Sequence, residues 1–223
     1  MREVIGDILP LALTVAISPI PIVAVILTLL APRAGGASLG FLLGWLAGIV
    51  VVSVVVVMIA SAIGLSGHGS GSTAGAIVKL VLGAGAVLLA GRQWRSRPRP
   101  GAEPKAPKWM AAIDTMTLPK AAGLAFLLSG VNPKNLAMIL AAGVSIGSAD
   151  LAIGQIVVVV AIFTVLAGCT VALPVLAYAV ARERARGALT ELRTWLVAHN
   201  AAVMTAVLGL IGVVLIGKGI AGL

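Results

Sequence analysis

The chain has 223 residues, 60% hydrophobic and 10% charged, where an ordinary soluble domain has roughly a quarter of its residues charged, so a water-soluble fold is excluded. A helix needs about 20 mostly apolar residues to cross the hydrocarbon, which leaves room here for about six spans with short loops and no large soluble domain. The net charge of +9 does not point to nucleic acid, because the basic residues gather in loops between apolar stretches, without the aromatics or fold of nucleic-acid readers.

In chain order, apolar stretches over residues 8–30, 39–64, 74–91, 121–146, 151–180 and 201–223 predict six transmembrane helices. Arg2 precedes the first, but Glu3 and Asp7 follow it, prolines interrupt the run, and it continues to Leu30. It therefore reads as a retained helix and not a signal peptide. The second stretch carries Gly40, Gly44 and Gly48, a spacing that lets another helix approach along one stripe. Residues 92–120 hold Arg92, Arg95, Arg97, Arg99, Lys105, Lys108 and Lys120 among prolines. They read as a basic linker between a first unit, 1–91, and a second, 121–223. Gln155, Thr164 and Thr170 scatter polarity along the fifth stretch, and Cys169 is the only cysteine, so no disulfide forms within the chain. The segment from Arg182 to Arg193, with Leu189, Leu192 and Trp195, suits either a basic helix on an anionic leaflet or an extension of the fifth helix.

Orientation follows from lysine and arginine, which stay cytoplasmic. They collect in the first, third and fifth loops and are missing from the second, around His68, and the fourth, around Asp150. Both termini of a multi-pass membrane protein are therefore expected outside. Trp94, Trp109 and Trp195 fall at the cytoplasmic boundaries, where indoles sit well.

The third and sixth stretches match at a constant offset: Val81-Leu82-Gly83, Val87, Leu89, Gly91 and Arg92 against Val207-Leu208-Gly209, Val213, Leu215, Gly217 and Lys218, 126 residues on. Each half then has an odd number of helices and the second enters the membrane from the opposite side. This is the inverted repeat of many secondary transporters, whose sites lie where the halves meet.

Interruptions occupy corresponding positions in the two halves, Ser18-Pro19-Ile20-Pro21 and Asn132-Pro133-Lys134-Asn135. Proline removes a backbone donor and frees carbonyls at membrane depth, which must then face protein or water. Kinks for packing alone are common, but Lys134 lies near the middle of its stretch, where a charge costs about 2.5–3.5 kcal/mol on insertion scales. An ammonium there deprotonates, finds a counter-charge or sits in water. Asp7 is eleven residues before Ser18, about 16 Å along a helix, so a ligand anion or a hydrated cavity is the expected partner. Alanine in place of Lys134 is expected to leave the fold intact and relieve a cost. Lys79 and Lys218, nearer the outer ends, are expected to snorkel. The substrate-binding candidates are Ser18, Pro19, Pro21, Asn132, Pro133, Lys134 and Asn135. The histidines, His68 and His199, fall at opposite faces, and no metal cluster or nucleophile-base pair emerges. No enzyme and no cofactor is expected.

The run Ile17-Ser18-Pro19-Ile20-Pro21-Ile22 and the segment Val131-Asn132-Pro133-Lys134-Asn135 resemble the GAP family of actinobacterial membrane proteins. These glycolipid-addressing and sulfolipid-addressing proteins are grouped in the lysine-exporter (LysE) superfamily. The resemblance covers nearly the whole chain. It implies an all-α fold of six helices in two inverted three-helix repeats, and export of polar lipids or glycolipids toward the cell surface. It also implies that Pro19, Pro21, Asn132, Pro133 and Lys134 occupy the central site. The classical amino-acid exporters have a glycine beside the first-helix proline, where this chain has Ser18-Pro19-Ile20-Pro21. Three functions are thereby framed: a transporter or transport accessory for an anionic polar lipid held by Lys134, a small-solute exporter, and a non-transporting scaffold for lipid-export machinery. The intramembrane lysine speaks against the scaffold, which has no evident reason to bear its cost. The expected partners are an anionic lipid or glycolipid and the membrane itself, and the sequence is compatible with lipid-export machinery and a homo-oligomer.

Overall fold

The computed structural model describes residues 1–31, 34–62, 73–95, 116–221 and 223. Within them lie α1 (Arg2–Ala16), α2 (Pro19–Leu30), α3 (Ala34–Ala62), α4 (Thr73–Arg95), α5 (Leu118–Val131), α6 (Pro133–Gly147), α7 (Ile153–Val180) and α8 (Arg182–Ile220). The described residues contain no strand. Residues 96–115 of the basic linker, which include Trp109, the loop around His68 and Arg33 lie outside the described residues.

Four helices, α3, α4, α7 and α8, are long and apolar enough to cross a bilayer alone. The shorter ones reach that length only in pairs: α1 with α2, bent by 52°, and α5 with α6, bent by 68°. Four to six spans result, according to whether each bent pair is one crossing. Large apolar side chains such as Val55, Met58, Val165, Leu173 and Leu176 are exposed on α3 and α7, the surface expected of helices that face hydrocarbon.

The core forms where α1, α2, α3, α6 and α7 meet, around the fully buried Ile8, Ile26, Leu29, Phe41, Trp45, Met138, Ile139 and Phe163. Helix α3 packs on α5 and α6, α7 packs on α1, and α4 pairs with α8. The glycine stripe of α3 explains the first contact. A Cβ on Gly40 would collide with the carbonyl oxygen of Leu118, and one on Gly44 with that of Ala122. The expected close approach therefore occurs within the chain, with the backbones nearly touching.

Two expectations for the polar segments are corrected. Helix α4 continues through Arg92 and Arg95, so the linker begins later than position 92. The segment from Arg182 to Arg193 is neither a separate surface helix nor an extension of α7. Ala181 leaves the helical region with φ −138° and ψ 59°, and the basic segment starts α8, a single helix of 39 residues. At 1.5 Å per residue α8 is about 58 Å long, nearly twice the hydrocarbon thickness. One crossing therefore needs only part of it. From Ala188 to Ala202 no proline or glycine interrupts the helix, and Leu189 and Leu196 are buried.

Candidate functional site

The site begins with missing donors. In a helix, the carbonyls of Val15 and Ile17 would accept from residues 19 and 21, but both are proline and have no N–H. The Ser18 N–H donates to Ala16 O at 2.8 Å, so Thr14 O also loses its usual donor. Helix α1 therefore ends at Ala16 and α2 starts with Ser18 at its N-cap and Pro19 in its first turn. A cluster of carbonyl oxygens is left at the break.

The second break supplies their partners. Asn132 caps α6, its Oδ1 accepting from Lys134 N at 3.1 Å, and Pro133 takes the first helical position, where a missing N–H costs nothing. This places Lys134 in the first turn of α6, 3% exposed. Its Nζ donates to Thr14 O at 2.6 Å and to Ile17 O at 3.4 Å. Thr170 Oγ1 on α7 donates to Ala16 O at 2.6 Å. The C-terminal end of α1, which carries partial negative charge, is thus met by a lysine from α6 and a hydroxyl from α7. The oxygens freed by the proline break are partners of Lys134 that the sequence did not announce, and Asp7 pairs with Lys79 and Lys218 instead.

The remaining candidates divide. Ser18, Pro19, Pro21 and Asn135 are buried, Asn132 is half-buried and Pro133 is exposed. Asn132 Oδ1 is committed to the helix cap. Ser18 Oγ and both side-chain polar atoms of Asn135 are buried without a hydrogen-bond partner among the described residues, a costly arrangement in an apolar interior. Thr14 and Thr164 bond carbonyls of their own helices. Gln155 accepts from Ala152 N at the start of α7 and lies away from the breaks.

Asn132, Pro133 and Lys134 line a cleft of about 380 Å³ together with Leu89, Arg92 and Gln93 of α4 and Met204 and Leu208 of α8. Ser18, Pro19 and Pro21 do not line it. Lys134 is the residue that connects the first break to the cleft. The lining of the cleft mixes polar residues with the apolar Leu89, Met204 and Leu208.

Sequence reasoning assigned Arg92 to the linker, and the missed signal was the unbroken Val87-Leu88-Leu89-Ala90 run that carries α4 past it. It also assigned Lys79 and Lys218 to snorkelling. Instead Lys218 Nζ stands 2.5 Å from Asp7 Oδ1 and Lys79 Nζ 4.0 Å from Asp7 Oδ2. The acid in the second turn of α1 was the available signal, since lysines at membrane depth seek a carboxylate before they seek the surface.

The profile of the Sap, sulfolipid-1-addressing protein, family matches residues 8–221. No similar curated protein and no similar solved structure was found.

Proposed function

From the sulfolipid-1-addressing protein family, to which the chain belongs over residues 8–221, we propose that it exports or flips an anionic polar lipid or glycolipid across the bacterial inner membrane. The family description gives lipid addressing; the residues supply a means. One observation carries the reading. Lys134 is buried at the meeting of two broken helices, held by backbone carbonyls and, among the described residues, by no carboxylate, and it lines a cleft of polar and apolar residues.

An arriving sulfate or phosphate head group competes with Thr14 O and Ile17 O for the lysine. A full negative charge is the stronger acceptor, since it adds the attraction of an ion pair to a hydrogen bond that the ammonium already assists. Loading therefore loosens the end of α1 from α6, and the two bent pairs become free to shift together. Asn135 and Ser18, beside the breaks in sequence, supply buried hydrogen-bonding groups for the displaced head or its water. The polar–apolar cleft suits an amphiphile better than an amino acid.

In this reading each bent pair is one crossing, which gives six spans in two inverted repeats with both termini outside. Exchange of the halves maps α4–α8 onto itself and the packing of α3 on the second broken pair onto that of α7 on the first. This supports the arrangement, which is the one the lysine-exporter resemblance implies and in which the breaks lie near the exchange axis.

The substrate class is tested in proteoliposomes with tail-labelled short-chain lipids. Protein-dependent transfer of a sulfated lipid, with a choline lipid left in place, is expected. Transfer of an amino acid and of no lipid establishes the small-solute exporter instead.

A further inference from the structure

Arg92 stands in the last turn of α4 and lines the same cleft as Lys134. We propose that the two form a two-point seat for a tetrahedral oxyanion ester, a sulfate or phosphate monoester, with Arg92 as the docking residue at the mouth. The inference rests on the anionic-lipid reading above and names the residue that selects the head group.

The chemistry of the wall favours such an ester. Arginine presents a planar fork that matches two oxygens of a sulfate or phosphate, and lysine a compact point charge. Asn132 and Gln93 add side-chain amides, and among the described residues no carboxylate lines the cleft. Such a wall attracts an oxyanion and offers nothing to a cationic head group. The two cations belong to helices that touch: α4 packs against α6, and Arg92 and Lys134 line one cleft of about 380 Å³.

The apolar residues fit a chain attached to that ester. Leu89, Met204 and Leu208 complete the lining, and on α4 Leu88 is 70% and Val81 64% exposed. A head group between Arg92 and Lys134 can therefore keep its hydrocarbon beside α4, so the lipid enters sideways from the bilayer. The order of contact follows from exposure. Arg92 is exposed and Lys134 buried, so the anion meets the guanidinium first and reaches the lysine by displacing Thr14 O and Ile17 O.

The test is equilibrium binding of labelled dodecyl sulfate and dodecyl phosphate, at low monomeric concentrations, to the full chain in nanodiscs of zwitterionic lipid. Arg92→Gln is expected to weaken both by about tenfold and Arg92→Lys by about threefold, since the charge stays but the fork is lost. Arg184→Gln, on the exposed start of α8, is expected to change nothing. Inorganic sulfate and phosphate are expected to compete only weakly. Native affinity in Arg92→Gln overturns the inference, as does an equal loss in Arg184→Gln, which marks general surface attraction. Competition by inorganic sulfate as strong as by its dodecyl ester overturns the lipid part and leaves a free-anion seat. Native binding by Arg92→Gln with loss in Lys134→Ala removes this inference alone. Native binding by both variants removes the Lys134 reading with it.

Discussion

Lys134 is a structural residue before it is a transport residue. Two carbonyls of α1 depend on its Nζ, and a buried acceptor left without a partner costs about 1–3 kcal/mol. Lys134→Ala is therefore expected to unfold more easily in detergent by that amount, where the bare sequence suggested relief from a costly charge. A thermal melt monitored by circular dichroism decides the sign. Asp7 makes a second residue-scale case, because its carboxylate serves lysines from both α4 and α8. Removing it leaves two ammonium groups facing each other, whereas removing Lys79 leaves the closer pair intact. Asp7→Asn should lose roughly 1–2 kcal/mol, between the values for exposed and buried pairs, and Lys79→Gln clearly less in the same melt. Equal losses would show that Lys79 carries as much of the network as Lys218.

At the scale of the element, the breaks were legible because proline acts locally: the sequence states which N–H groups are absent, and the chain ends its helices there. What satisfies the freed carbonyls was not legible. Lys134 is 120 residues from Thr14 and Thr170 is 154 from Ala16, so their meeting depends on how α1, α6 and α7 pack. Glycine stripes carry the same limit, since the spacing of Gly40, Gly44 and Gly48 announces a close neighbour without identifying it as α5. Gly44→Ala should cost about 1–3 kcal/mol by overpacking against the Ala122 carbonyl. Gly123→Ala on α5, with open space at its Cβ position, should be neutral or stabilising by up to about 1 kcal/mol through helix propensity. Denaturant titration of the pair checks the contrast, and equal effects would mean that α3 and α5 do not approach this closely in the membrane.

For the whole molecule, hydropathy sufficed to announce a bundle of apolar helices, because lipid forces every backbone group into internal hydrogen bonds. It misplaced the boundary between α7 and α8, where charged residues belong to a helix and do not mark a loop. The proposed repeat is not matched at every residue. A Cβ on Gly83 would collide with Ile216 and Gly212, while its counterpart Gly209, 126 positions on, has open space. Orientation is testable with single cysteines in a Cys169→Ser background. With both termini outside, a cysteine replacing the exposed Asp150 reacts with an impermeant thiol reagent on intact cells, and one replacing Arg184 reacts only after lysis. The reverse pattern inverts the topology.

The central claim is that the lysine bridging the two breaks carries an anionic head group through the membrane. Its most direct test is the initial rate at which a tail-labelled sulfated lipid moves between leaflets of proteoliposomes. The native chain, Lys134→Arg and Lys134→Ala are compared at equal amounts of folded, incorporated protein. The account predicts that Lys134→Ala falls to the protein-free rate, while Lys134→Arg keeps part of the activity because it retains the charge. Transfer by Lys134→Ala at the native rate would contradict it.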